Sequence, residues 1–247
     1  MFASVDVAPD DLGIGPEGNV WVTATKDGVV LELASDGHLL HRFSDPNAPE
    51  GIVATDGRVL LAEQNRNRVV TLDQSGTTTP FLDLPNHTAN PGVDGLGLDA
   101  ARQRLLVPDS PNGTLLAAPL AGGAPVTLAV NLGRPVAATV GPDGDIYVAS
   151  ESSPGLFRVP SGGGPATPIG RLSDLDEVIA VDGLLYVAAI SDGTVRAVAP
   201  STGADRPLVD GGHELQGLTA LPDGRLLLAD SATRALTAID ACRGQGA

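Results

Sequence analysis

The chain has 247 residues, 42% of them hydrophobic, with 31 Gly and 20 Pro, enough for one large domain with a real core but short for two. Its 15 basic and 30 acidic residues leave a net charge of −15, a field that repels phosphate backbones and anionic lipid and so argues against nucleic acid as a partner. No stretch approaches the roughly 18 to 20 uninterrupted apolar residues of a membrane-crossing helix, and the opening MFASVDVAPDD has neither the basic nor the apolar region of an export signal, which points to the cytoplasm.

In chain order, FASVDVA (Phe2 to Ala8) reads first, as a lone strand. A phrase then starts at Asp10 and recurs: a polar residue, an apolar tetrad, a turn holding Asp-Gly or its equivalent, and a second apolar run. The copies are DDLGIGPEGNVWVTA from Asp10, EGIVATDGRVLLAE from Glu50, DGLGLDAARQRLLVPD from Asp94, VAATVGPDGDIYVAS from Val136, DEVIAVDGLLYVAA from Asp176 and QGLTALPDGRLLLAD from Gln216. Their starts lie 40, 44, 42, 40 and 40 residues apart. Each is followed by a third run, such as NRVVTLD from Asn67 or GTVRAVAP from Gly193, and a fourth, such as HLLHRF from His38 or RPLVD from Arg206.

Short Val-, Leu- and Ile-rich runs between Gly- and Pro-containing turns are β-structure, and no segment carries a helical period. Six units of four strands make an all-β, six-bladed β-propeller, a single domain over residues 1–247. The last unit holds three strands only. Phe2 to Ala8 is therefore expected as the outer strand of blade six, closing the ring and completing the array.

The first strand of each blade lines the channel and starts at one face, so the first residues of the copies form a ring around one mouth: Asp10, Glu50, Asp94, Val136, Asp176 and Gln216. The residues ending the second strands form a second tier: Ala24, Glu63, Asp109, Ser150, Ala189 and Asp230. Carboxylates 4 Å apart repel by roughly 4 kcal/mol per pair at an effective dielectric near 20. A hard divalent cation relieves that repulsion, with Ca²⁺ the first choice and Mg²⁺ or Zn²⁺ the alternatives. The competing reading is that acids at strand starts merely bond backbone groups in turns.

His87, in LPNHTANPG, and His213, in GGHE, lie in loops leading into first strands and are candidate proton carriers at the mouth. His38 and His41 belong to an outer strand. Trp21, Tyr147 and Tyr186 fall in second strands, where packing between blades explains them, and the mouth lacks stacking platforms. Arg66 and Arg68 follow a second strand and face either the mouth or the solvent rim. SGGGP from Ser161 is a turn rather than a phosphate loop, and the lone Cys242 has no partner for a disulfide.

TDGRVLLAEQNRNRVVTLDQSG from Thr55 resembles an NHL repeat, DGLGLDAARQRLLVPDS from Asp94 resembles the senescence marker protein/gluconolactonase/LRE-like group, and GIGPEGNVWVTAT from Gly13 is similar to the virginiamycin B lyase group. The resemblance spans nearly the whole chain and implies a six-bladed propeller. In the gluconolactonase group a divalent cation sits in the mouth on one Glu, two Asn and one Asp at first-strand starts, which implies Asp10, Glu50, Asp94 and Asp176 as the metal positions here. This chain departs from the pattern in having carboxylates in place of amides and Val136 at one ring position. Three functional classes follow. The first is a metal-dependent hydrolase of a lactone or similar small ester, with Asp94 as catalytic acid or base. The second is a lyase or cyclase in which His87 or His213 moves the proton. The third is a non-catalytic NHL-type platform. The expected partner is a small-molecule substrate, and the expected state a monomer.

Overall fold

A computed structural model describes residues 1–55, 57–85 and 92–241. Strand β1 is Ala3–Ser4. Blade one is β2 (Leu12–Ile14), β3 (Val20–Ala24), β4 (Val29–Leu33) and β5 (Leu39–Ser44). Blade two is β6 (Pro49–Thr55), β7 (Arg58–Glu63), β8 (Arg68–Leu72) and β9 (Thr78–Asp83). Blade three is β10 (Gly97–Asp99), β11 (Arg104–Asp109), β12 (Thr114–Pro119) and β13 (Val126–Ala129). Blade four is β14 (Pro135–Val140), β15 (Ile146–Ser150), β16 (Leu156–Val159) and β17 (Thr167–Pro168). Blade five is β18 (Leu175–Val181), β19 (Leu184–Ala189), β20 (Thr194–Val198) and β21 (Asp205–Val209). Blade six is β22 (Leu215–Ala220), β23 (Arg225–Asp230) and β24 (Ala235–Asp240), with β1 added outside β24.

The six four-stranded antiparallel sheets are those expected, and β1 closes the ring. It is shorter than Phe2 to Ala8. Bonds from Phe2 N to the Leu236 carbonyl (2.7 Å) and from Val5 N to the Arg234 carbonyl (3.0 Å) extend its attachment at both ends. Beyond Val5 the chain turns to blade one, where Asp27 accepts from Ala8 N at 2.7 Å.

The continuous apolar runs of the second strands have a physical reason: both faces of a blade pack against neighbours, so alternate side chains enter different cores. Leu60 and Val69 pack against blade three through Leu105 and Val107, whereas Leu61 and Val70 pack against Trp21 and Val30 of blade one. The same alternation fills every gap between adjacent blades, including that between blades six and one, where Leu227 and Leu236 meet Val20 and Leu31. Outer strands lack the second neighbour, and β5 is mostly exposed. Trp21, Tyr147 and Tyr186 are buried within second strands as expected, Trp21 stacking on Phe43 with ring centroids 5.9 Å apart. The Asp-Gly turns place glycine in the left-handed region, at φ 83° for Gly144 and 86° for Gly224. Among the described residues no helix is long and apolar enough to cross a membrane.

Candidate active site at the channel mouth

All six ring positions come together. Asp10, Glu50, Asp94, Val136, Asp176 and Gln216 line one small cavity of about 10 Å³, joined by Asp11, Gly95 and Glu177. Backbone contact between blades draws the ring this tight: Gly51 N donates to the Asp94 carbonyl at 3.1 Å and Gly95 N to the Val136 carbonyl at 2.7 Å. A Cβ on Gly51 would lie 2.6 Å from the Asp94 oxygen, one on Gly95 2.5 Å from the Val136 oxygen, and one on Gly217 2.3 Å from the Asp10 oxygen. The glycine after the ring residue in EGIVA, DGLGL and QGLTA is thus what lets neighbouring backbones approach.

The other three copies carry Asp11, Ala137 and Glu177 at that place. The pairing register shifts near the start of the first strands of blades two, four, five and six, and such irregularities re-aim side chains. Asp176 and its neighbour Glu177 consequently both reach the channel, although strict alternation separates them. Asp11 and Glu177 hydrogen-bond each other. Leu12 N (2.7 Å) and Ile52 N (3.2 Å) donate to Asp11, and Val178 N donates to Glu177 at 2.7 Å. Below this pair the channel opens into a cavity of about 260 Å³, lined mainly by apolar first-strand side chains with Thr139 and Thr219.

Asp94, buried, accepts from Arg134 Nη2 at 2.7 Å, and the same guanidinium pairs with Glu151. Across the ring Lys26 of blade one holds Glu214, in the loop before blade six, at 2.7 Å. These two cations offset only part of the acid. Burial is the chief influence raising the carboxyls of Asp10, Glu50 and Asp176 above their ordinary range; repulsion from other ring acids adds to it at Glu50 and Asp176, and repulsion from Glu214 at Asp10. Burial also pushes Asp94 up to about 8, with Arg134 pulling the other way, and Asp11 up to about 6. Oε2 of Glu50 is buried without a hydrogen-bond partner.

The second tier ends the second strands as expected but does not line the mouth cavity. Local partners hold it in turns: Glu63 pairs with Arg68, Asp109 accepts from Asn112 at 2.9 Å, and Ser150 donates to the Leu132 and Arg134 carbonyls. Asp230 accepts from the backbone of His213 and Thr233. The His213 side chain is 68% exposed and lies 3.5 Å from Asp230, off the ring cavity. His87 falls in 86–91, outside the described residues, as does Cys242. His41 is exposed on β5 and His38 in the turn before it, Arg66 and Arg68 bond Asn47 and Glu63, and Ser161 to Gly164 form a turn between β16 and β17. Sequence reasoning missed Asp11, Glu177, Arg134 and Glu151. The doublets Asp10-Asp11 and Asp176-Glu177 were the visible trace of the first two.

A larger cavity of about 930 Å³ lies outside the channel between blades three and four, and no ionisable side chain lines it. The buried acids gather at the mouth instead.

No family model and no curated protein matches the chain by sequence. Solved structures match over most of its length. A streptogramin B lyase structure superposes with a TM-score of 0.67 at 16% identity, covering 92% of this chain and 93% of that one. A catalytically inactive virginiamycin B lyase from Staphylococcus aureus with quinupristin gives a TM-score of 0.71 at 18% identity, covering 91% and 78%. A gluconolactonase from Xanthomonas campestris gives 0.72 at 16% identity, covering 92% and 84%. The chain shares the six-bladed propeller fold with these enzymes.

Proposed function

We propose that the chain is a hydrolase that opens a lactone or similar small ester at the channel mouth with the help of a divalent cation, Ca²⁺ first. The observation that carries this reading is the convergence of Asp10, Glu50, Asp94 and Asp176, from four blades, on one cavity. The donor set fits a hard cation: its atoms are carboxylate and amide oxygens, one of them the orphaned Oε2 of Glu50, and the suppressed ionisation of the ring is what a bound positive charge reverses. Among the described residues no three Asp, Glu, His or Cys side chains are already gathered closely enough to hold an ion. Asp10, Glu50 and Asp176 would hold the ion only by drawing closer together, with Gln216 and water completing the shell, while Asp94 stays with Arg134. A cation held there supplies Lewis-acid polarisation of a carbonyl.

Asp94 takes the proton from the attacking water, because it lines the cavity beside the proposed ligands and is held there by Arg134 at 2.7 Å. Arg134 orients it and keeps its ionised form accessible. Similarity in fold extends to lyases and a gluconolactonase alike; the hydrolase is preferred because its proton carrier, Asp94, lines the ring cavity, whereas His213 lies off it. The test is turnover of a panel of lactones by protein stripped with chelator and reloaded with Ca²⁺ or Mg²⁺. Cation-dependent ring opening is expected. Cation binding without turnover would leave the binding-platform reading in its place.

A further inference from the structure

The Gln216 amide lies among the ring acids. Its head-group atom facing the ring lies 3.0 Å from Asp176 Oδ2 and 3.3 Å from Asp10 Oδ1. With nitrogen there, the amide donates to both carboxylates. With oxygen there, three oxygens face one another, an arrangement that a shared cation, or a proton on one of the carboxyls, must stabilise. The separations suit both states, because oxygens that share a Ca²⁺ ion at 2.3–2.6 Å stand roughly 3 to 3.5 Å apart. The amide N and O are nearly isosteric, and the terminal torsion of Gln is broad and roughly two-fold. A half-turn therefore exchanges donor for ligand without moving the strand.

We propose that Gln216 is a two-state element of the mouth: its NH2 bridges Asp10 and Asp176 when no cation is present, and its carbonyl oxygen turns to the same point to ligate one. The proposal rests on the cation reading given above. Its chemical content is that blade six contributes a neutral ligand which also holds the empty ring together. A glutamate at this place would put a fifth acid among the six ring positions of the unloaded mouth, and an apolar residue would serve neither state.

The test combines calorimetric titration with Ca²⁺, melting in chelator, and side-chain amide NMR, none of which depends on turnover. Gln216→Leu is expected to bind Ca²⁺ at least tenfold more weakly and to melt lower in chelator. Gln216→Glu keeps a ligand oxygen but loses the donor, so it is expected to melt lower in chelator yet bind Ca²⁺ at least as tightly as the parent. In the parent, the Gln216 NH2 resonance, assigned by its loss in Gln216→Leu or Gln216→Glu, is expected to shift on saturation as its two hydrogen bonds break. A parent that binds Ca²⁺ alongside a Gln216→Leu variant that binds equally well, or an unmoved amide resonance, overturns the role of Gln216 and leaves the cation site standing. Should Gln216→Leu not fold, weaker binding by Gln216→Glu overturns it equally. A parent that binds neither Ca²⁺ nor Mg²⁺ overturns both.

Discussion

Raising the pH of cation-free protein from 5.5 to 7.5 is expected to destabilise it, and calcium to reverse the loss. Asp94 illustrates the size. Its carboxyl moves from 3.8 to about 8 on folding, so between those values the folded chain binds a proton that the unfolded chain has released. Stability from such a group is fully present below the unfolded value and is lost as pH rises through the folded one. The slope is about 1.4 kcal/mol per pH unit for each such carboxyl. Over two units Asp94 alone accounts for roughly 3 kcal/mol, or roughly 6 to 11 °C in Tm for a domain of this size. Glu50 and Asp176, raised well above their ordinary range, shift in the same direction and steepen the fall. Surface acids do not blur the measurement: Asp36, Asp73 and Asp223 are held below the usual range by hydrogen bonds, so they are already ionised across the window. Differential scanning calorimetry in chelator supplies the curve. Saturating Ca²⁺ is expected to raise Tm more at pH 7.5 than at 5.5, because at the lower pH it must displace protons to bind. A Tm in chelator that is flat or rises over this range would refute the electrostatic account of the ring.

Asp94→Asn, which keeps shape but not basicity, is expected to lower turnover at saturating cation by roughly 10²- to 10⁴-fold; activity within about threefold of the parent removes Asp94 from the chemistry. Gly97→Ala places a Cβ 1.9 Å from the Ala138 carbonyl oxygen, and urea unfolding is expected to show a loss of about 1 to 3 kcal/mol from the forced shift; an unchanged midpoint contradicts the close approach. Deleting residues 1–5 removes β1 and the half-buried Phe2 and Val5, a loss of roughly 2 to 4 kcal/mol of apolar burial to be read as a lower melting temperature. A truncated chain as stable as the parent would mean that closure contributes nothing.

The ring was legible because two independent signals coincide at each member, a 40- to 44-residue period and a strand start. The period alone dictates that Asp10, Glu50, Asp94 and Asp176 meet. Direction was harder to read. Glu63, Asp109 and Asp230 do end their strands, yet partners a few residues away, Arg68, Asn112 and Thr233, capture them. Glu177 is hidden by the alternation rule, which points it away from Asp176 until the register shift between Leu175 and Glu177 is known. Arg134 lies 40 residues from the Asp94 it neutralises, and a lone arginine in a loop carries no motif that announces its partner. Strand length also escaped the sequence, since β1 and β17 pair over two residues each, where the outer edge demands little apolar patterning.

The pairing of β1 with β24 also sets an order of events during folding. Ala3 and Leu236 are neighbours in one sheet although nearly the whole chain separates them, and contacts of such separation form late because the loop they close is long. During synthesis blade one emerges first, but one side of it, with Val20, Val22 and Leu31, has nothing to pack on until Leu227 and Leu236 arrive. The nascent chain therefore carries an uncovered apolar flank for most of its translation, and the acid ring has no fixed geometry until the last strands lock the first blade in place.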